Sequence, residues 1–273
     1  MTTKTTLAIL GTAILAFANV DGIRDLRELN EFVEAVVKGG ITEVEAHGRV
    51  SEEAQRTEAF ELLLNRKKSG IILEKELSPI QLEWIREDIP KIFSLVKSDI
   101  PDEVVAALQA NTSIVKFAIF GSEGALKMKQ ILGTRPIEDF TVGYMSVDNA
   151  VDLLQVVAEH ADSVTTISLL MITGKDLEGK DLSQLGGILS LFTCLKSLSI
   201  KSNTPLPVSV LEVLRKMPLL EKIQVNSTGE EVVRSIPDSV KEVILYRRAT
   251  EEDKQAMFKA GFRAEHPRLF IRE

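Results

Sequence analysis

Cysteine is nearly absent from these 273 residues: Cys194 stands alone, which excludes an internal disulfide framework and a thiolate metal cage. Histidine is almost as scarce. His47, His160 and His266 lie far apart in the chain, so a histidine-rich metal site is not expected. The longest apolar run, Leu7–Ala18, is interrupted by Gly11 and Thr12 and is too short to cross a bilayer. Low-complexity stretches, Pro/Gly/Ser linkers and a Gly-x-Ser-x-Gly nucleophile elbow are all missing.

What remains is an ordinary globular balance, 44% hydrophobic and 27% charged, with 33 basic and 40 acidic side chains and a net charge of −7. The acidic excess argues against broad binding to a phosphate backbone, so no nucleic acid is expected as a partner. Charge is spread unevenly: net −4 over residues 1–99, −6 over 100–189 and +3 over 190–273.

The amino terminus fits two readings. Lys4, the apolar run and the small-x-small triplet Ala16-Phe17-Ala18 together resemble an export signal cleaved after Ala18. The sparse positive charge ahead of the run favours the other reading, a buried first helix in a cytoplasmic protein. Asn111-Thr112-Ser113 and Asn226-Ser227-Thr228 match the glycosylation sequon, about as often as chance supplies it.

One short pattern recurs: apolar, two variable, apolar, variable, apolar. It reads Ile114-x-x-Phe117-x-Ile119, Ile137-x-x-Phe140-x-Val142, Val164-x-x-Ile167-x-Leu169, Leu195-x-x-Leu198-x-Ile200, Leu220-x-x-Ile223-x-Val225 and Val240-x-x-Val243-x-Leu245. An earlier copy is Ile41-x-x-Val44-x-Ala46, with weaker candidates near Gly70–Leu73 and Ile92–Leu95. From 114 the copies start 23, 27, 31, 25 and 20 residues apart, a period that signals stacked structural units. Between them run segments of helical spacing, such as Val151, Leu154, Val157 and Ala158, and Val210, Leu211, Leu214 and Met217. A helix feeding each short strand makes the strands parallel. Asp102 and Asp148 stand where helix N-caps belong.

The stretch Leu195-Lys196-Ser197-Leu198-Ser199-Ile200-Lys201-Ser202-Asn203 resembles the L-x-x-L-x-L-x-x-N motif of leucine-rich-repeat proteins of the ribonuclease-inhibitor kind. The other copies carry Ser122, Met145, Ile172, Thr228 or Arg248 in place of the asparagine. The resemblance implies an α/β solenoid with a curved parallel sheet, outer helices and a role in recognition or scaffolding. On that view residues 1–29 are a signal-like or capping segment, 30–249 the solenoid and 250–273 a terminal cap. Thr250 opens the cap helix, Met257 and Phe258 form its apolar side, Gly261 stops it, and 268–272 add a last strand.

A (β/α)8-barrel enzyme of hydrolase or lyase type is the competing architecture. Barrel strands are apolar on both faces. Lys196–Lys201 and Glu221–Asn226 instead alternate strictly, which favours an open sheet with one wet face.

In a solenoid the alternate strand positions line the concave sheet. They are Glu43, Glu45 and His47 on the first strand, then Phe120, Thr141, Ser168, Leu170, Ser199, Lys201, Gln224, Asn226, Ile244 and Tyr246 along the others. Another protein is the expected partner on this face, with the aromatic and aliphatic members as anchors. A third reading keeps that role in a secreted recognition factor. Glu43, Glu45 and His47 share a strand face and have metal-binding or acid–base chemistry, but neighbouring strands add no histidine, so neither metal nor cofactor is expected. Gly121–Gly124 and Gly174-x-x-x-x-Gly179-Lys180-Asp181 look like phosphate loops, yet Asp181 replaces the hydroxyl that would hold Mg²⁺. Cys194 and Trp84 read as packing residues. Arg247, Arg248, Arg263, Arg268 and Arg272 read as a solvated surface or a partner rim.

Overall fold

The computed structural model describes residues 30–31, 33–39, 54–96, 99–170, 183–201, 206–226 and 228–272, without the side chains of 54–60 and 183. The amino-terminal segment, Glu43, Glu45 and His47, Asn203 and the loop 174–181 lie outside the described residues. Contacts divide the chain into two compact units, residues 1–69 with 77–84 and residues 70–76 with 85–273.

In the first unit a helical stretch over residues 33–37 buries Val33, Val36 and Val37. Helix α1 (Ala54–Ser69) buries Leu64, and its Lys67 Nζ meets Glu34 at 2.5 Å. Trp84 of α2 (Pro79–Arg86) is 2% exposed, with Lys68 Nζ 5.6 Å from its ring centroid. It is a packing residue, as its apolar neighbours suggest.

The second unit holds one sheet of ten strands. In chain order they are β1 (Gly70–Leu73), β2 (Ile92–Val96), β3 (Lys116–Phe120), β4 (Asp139–Gly143), β5 (Thr166–Leu170), β6 (Ser197–Lys201), β7 (Lys222–Val225), β8 (Glu242–Leu245), β9 (Arg263–His266) and β10 (Leu269–Ile271). Strands β1 to β8 are parallel and each pairs with its neighbours in sequence. The order then runs β8-β10-β9, with both of these pairings antiparallel. The described strands therefore form an open sheet edged by β1 and β9, which overturns the closed barrel. The starts of β1 to β8 fall 20 to 31 residues apart, and the two weaker candidates are real strands.

Parallel strands need crossovers, and here helices supply them: α3 (Asp102–Ala110), α4 (Ala125–Leu132), α5 (Val147–Val157), α6 (Ser183–Leu189), α7 (Val208–Leu214) and α8 (Glu230–Val233). Right-handed crossovers that always step the same way place every helix on one face. Burial agrees. Every apolar position of the six motifs from Ile114 onward is at most 5% exposed. The alternate positions are mostly half-exposed. The helices meet the same core through stripes such as Ala150, Val151, Leu154 and Val157 of α5. Gly186 of α6 has no room for a side chain, since a Cβ there would lie 2.9 Å from the Ser209 backbone of α7.

The turn into each strand is built the same way six times. Lys91 O accepts hydrogen bonds from both Val115 N and Lys116 N, and Val115 O accepts from Glu138 N and Asp139 N. The same double acceptance recurs at Glu138, Thr165, Lys196 and Glu221. Buried side chains tie neighbouring turns together as well. Asn111, 2% exposed, donates to Ile85 O at 2.7 Å and accepts from Ser113 N and Ile114 N at 3.0 and 2.9 Å. The half-buried Ser163 Oγ donates to Ile137 O and accepts from Ile137 N. Arg135, 7% exposed, donates to Leu108 O near the end of α3 and stacks 5.8 Å from the Phe117 ring centroid. Burial lowers its pKa, an effect that Asp88 opposes.

Two of the expected caps move by one or two residues. Asp102 follows the N-cap Pro101, and Asp148 follows Ser146, whose hydroxyl accepts from Asn149 N at 3.3 Å. Both acids sit in the first turn, where the helix dipole favours them. Helix α9 (Glu251–Lys259) is capped by Thr250 as expected, and Gly261 follows its end at φ +81°. Phe258 is 53% exposed, so Met257 and not Phe258 carries the apolar side.

Asp253 closes this end of the unit. Its carboxylate accepts from Thr228 N at 2.9 Å, from Thr250 N and Oγ1 at 2.8 Å each, and pairs with Arg247 at 2.7 Å. Burial pushes its pKa up, but those donors outweigh burial and hold it down at about 2. A folded pKa below the unfolded value of about 3.9 means stability that is complete above about pH 5 and lost progressively as pH falls toward 2. Asp253→Asn is expected to cost about 2 kcal/mol in urea unfolding at pH 7 and to flatten the loss between pH 4 and 2. Asn111→Ala strands buried backbone groups in two turns and is expected to cost roughly 2–4 kcal/mol in the same measurement.

Candidate functional site

Strand alternation and register arrange the face away from the helices into three rows. The first runs Ile92, Lys116, Asp139, Thr166, Ser197, Lys222 and Glu242. The second runs Ile72, Ser94, Ala118, Thr141, Ser168, Ser199, Gln224 and Ile244. The third runs Val96, Phe120, Gly143, Leu170 and Lys201, at the carboxyl ends of the strands. Asn226 and Tyr246 lie just past the ends of β7 and β8, two residues beyond Gln224 and Ile244. Every described member of the expected set that lies within a strand thus belongs to one face.

The first row neutralises itself. Lys222 Nζ pairs with Glu242 at 2.8 Å, and Lys116 stands beside Asp139 in register. Burial raises the Asp139 pKa, Lys116 opposes the rise and Glu138 adds to it. The second row is uncharged and mostly small.

The third row carries the apolar surface. At Gly143 a Cβ would lie 2.7 Å from Leu170 O, 3.0 Å from Phe120 Cδ1 and 3.2 Å from Leu170 Cβ. Glycine therefore leaves room beside its backbone for the Phe120 ring on one side and for Leu170 on the other. Tyr144 follows at φ +54°, a left-handed conformation costly for a residue with a Cβ. That backbone turn leaves Tyr144 51% exposed with its ring centroid 6.2 Å from that of Phe120. Its backbone N–H is fixed to Leu170 O at 3.0 Å. Tyr144 was absent from the expected set because it lies just past the strand pattern. Its signal was a large aromatic directly after a glycine at a strand end.

At the β6–β8 end the face is polar. Tyr246 reaches across β7 and hydrogen-bonds Ser199, so it lies over the sheet and does not project as an anchor. Ser199 is correspondingly buried, 8% exposed. Lys201 Nζ sits 5.3 Å from the Tyr246 ring centroid. Burial raises the Tyr246 pKa, partly offset by the Ser199 bond, which keeps the phenol protonated at neutral pH. Asn226 Oδ1 is buried and accepts no hydrogen bond from any described residue.

The other candidates resolve as structure. Gly121 and Gly124 adopt φ +94° and +73° to turn β3 into α4. The sequon residue Asn111 is consumed by buried hydrogen bonds. Of the five arginines, Arg247 serves Asp253, Arg263 pairs with Glu265 at 2.9 Å, and Arg272 stacks 4.1 Å from the Phe262 ring centroid. Arg248 lines an open cavity of about 490 Å³ with Lys254 and His266. Among the described residues no group of three His, Cys, Asp or Glu is placed to hold a metal ion, and no helix is long and apolar enough to cross a membrane.

No protein-family model matches the chain, and no curated protein matches it either. Function is therefore argued from the face itself. Gly143→Ala presses a Cβ onto Leu170 O and the Phe120 ring and is expected to cost about 1–3 kcal/mol in chemical denaturation, despite adding only one methyl group.

Proposed function

We propose that this chain is a leucine-rich-repeat-like solenoid that acts without catalysis, as an interaction or scaffolding module binding another protein on its open sheet face. The sequential parallel order, the recurring double acceptance at strand entries and the one-sided helix layer support the solenoid reading. The observation that carries the binding reading is the aromatic step of Phe120 and Tyr144. A half-exposed tyrosine held in a strained backbone conformation over a second aromatic is a costly arrangement on a solvated sheet. Rigid aromatics that present area at little entropic cost are the usual centres of protein interfaces. The small second row beside them admits close approach, and the neutralised first row forms a polar rim.

Site-specific photo-crosslinking in the source cells tests the assignment. A photoreactive residue at Thr141, on the open face, is expected to capture a protein. The same probe at Leu126, 74% exposed on a helix, serves as the opposite-side control. Combining Phe120→Ala with Tyr144→Ala is expected to abolish the Thr141 crosslink and weaken the isolated complex at least about tenfold. Equal capture from Leu126, or capture indifferent to both aromatics, overturns it.

A further inference from the structure

We propose that the partner engages this face through an acidic segment, an extended peptide whose apolar side chains rest on Phe120 and Leu170 and whose carboxylate is bound by Lys201. The inference rests on the face being a protein-binding surface and adds the chemistry of what binds there. Charge matching carries it. Lys222 has Glu242 at 2.8 Å, and Lys116 has Asp139 beside it in register. Lys201 has no carboxylate partner among the described residues; its one described contact is the Tyr246 ring. An ammonium on an aromatic face is held in place while its N–H donors remain unspent.

Placement strengthens the case. Lys201 is the register neighbour of Leu170, which is two strands from Phe120. At roughly 4.8 Å per strand, the apolar step and the cation are about 14 Å apart across the face. An extended peptide advances about 3.3 Å per residue, so a carboxylate roughly four residues from the side chain on Phe120 reaches Lys201. The Ser199–Tyr246 hydrogen bond fixes the ring against which the ammonium rests, so this end is pre-organised for an anion.

The test is selection of a random-peptide display library on the immobilised full-length chain. Enriched peptides are expected to carry Asp or Glu about four residues from an apolar side chain. The most enriched one, made synthetically, is expected to lose affinity about tenfold with Lys201→Gln, equivalent to about 1.4 kcal/mol. Replacing its acid by the amide is expected to cost the same, and both changes together no more than either alone. Lys201→Gln alters a half-exposed side chain, and a thermal melt matching the wild type confirms its fold. Peptides without an acidic preference, or affinity unchanged by Lys201→Gln but abolished by Phe120→Ala, overturn the acidic segment and leave the face reading intact. Peptides indifferent to both substitutions, or no enrichment at all, overturn both.

Discussion

Strands β2 to β7 each hydrogen-bond to the strand before and the strand after them in the chain, and the other features of the second unit follow from that pairing rule. A parallel strand cannot be reached by a hairpin, so every step demands a crossover. Crossovers of one hand, always stepping in one direction, deposit their helices on one face. The helix layer then buries one set of alternate side chains and leaves the other set to solvent. The apolar triplets of the sequence are the record of this asymmetry. The strand entries reinforce it, since one carbonyl takes two successive N–H groups of the next segment and fixes the register before pairing begins.

That same rule limits what the open face can be. Its residues come from many strands at a fixed spacing, one per strand in each row, so its chemistry varies stepwise across the sheet. Among the described residues no strand contributes a cluster of reactive groups, and in the first row charges fall beside opposite charges, as at Lys116 with Asp139 and Lys222 with Glu242. On the proposed reading, such a surface recognises a partner by shape and by a few anchors. At Gly143 the missing side chain leaves room for the Phe120 ring and for Leu170, and the next residue places its ring 6.2 Å from that of Phe120.

Legibility in the sequence followed burial. The six strands from Ile114 onward could be read because each buries three side chains at fixed offsets and wets the ones between. Gly70–Leu73 and Ile92–Leu95 were weaker signals because apolar residues also occupy their open side, with Ile72 51% and Ile92 40% exposed. The rows of the face were equally readable, since period two fixes which residues share it. Three features were not readable, for separate reasons. Tyr144 matters through a backbone torsion. Tyr246 turned out to lie across the sheet because Ser199, two strands away, offers a partner that only register reveals. Strand β9 is Arg-Ala-Glu-His, fully exposed and without large apolar residues, and it is a strand only because β10 pairs with it.

The exposed β9 also explains how the sheet ends. A parallel array offers its last strand's backbone to any further strand, which makes an unprotected edge prone to pairing with other chains. Here the chain reverses after α9, inserts β10 beside β8 in the antiparallel sense and leaves β9 outermost. Phe270 of β10 completes the core with no exposure, whereas β9 contributes nothing to it. The edge strand is therefore free to be charged, with Arg263 and Glu265 paired at 2.9 Å, and its register with β10 shifts by a bulge. Charges and a bulge on a four-residue strand are the features that discourage a further strand from adding. The requirement to bury apolar surface is met one strand in from the edge, and the requirement to stop pairing is met at the edge itself, so a reversal of chain direction serves both.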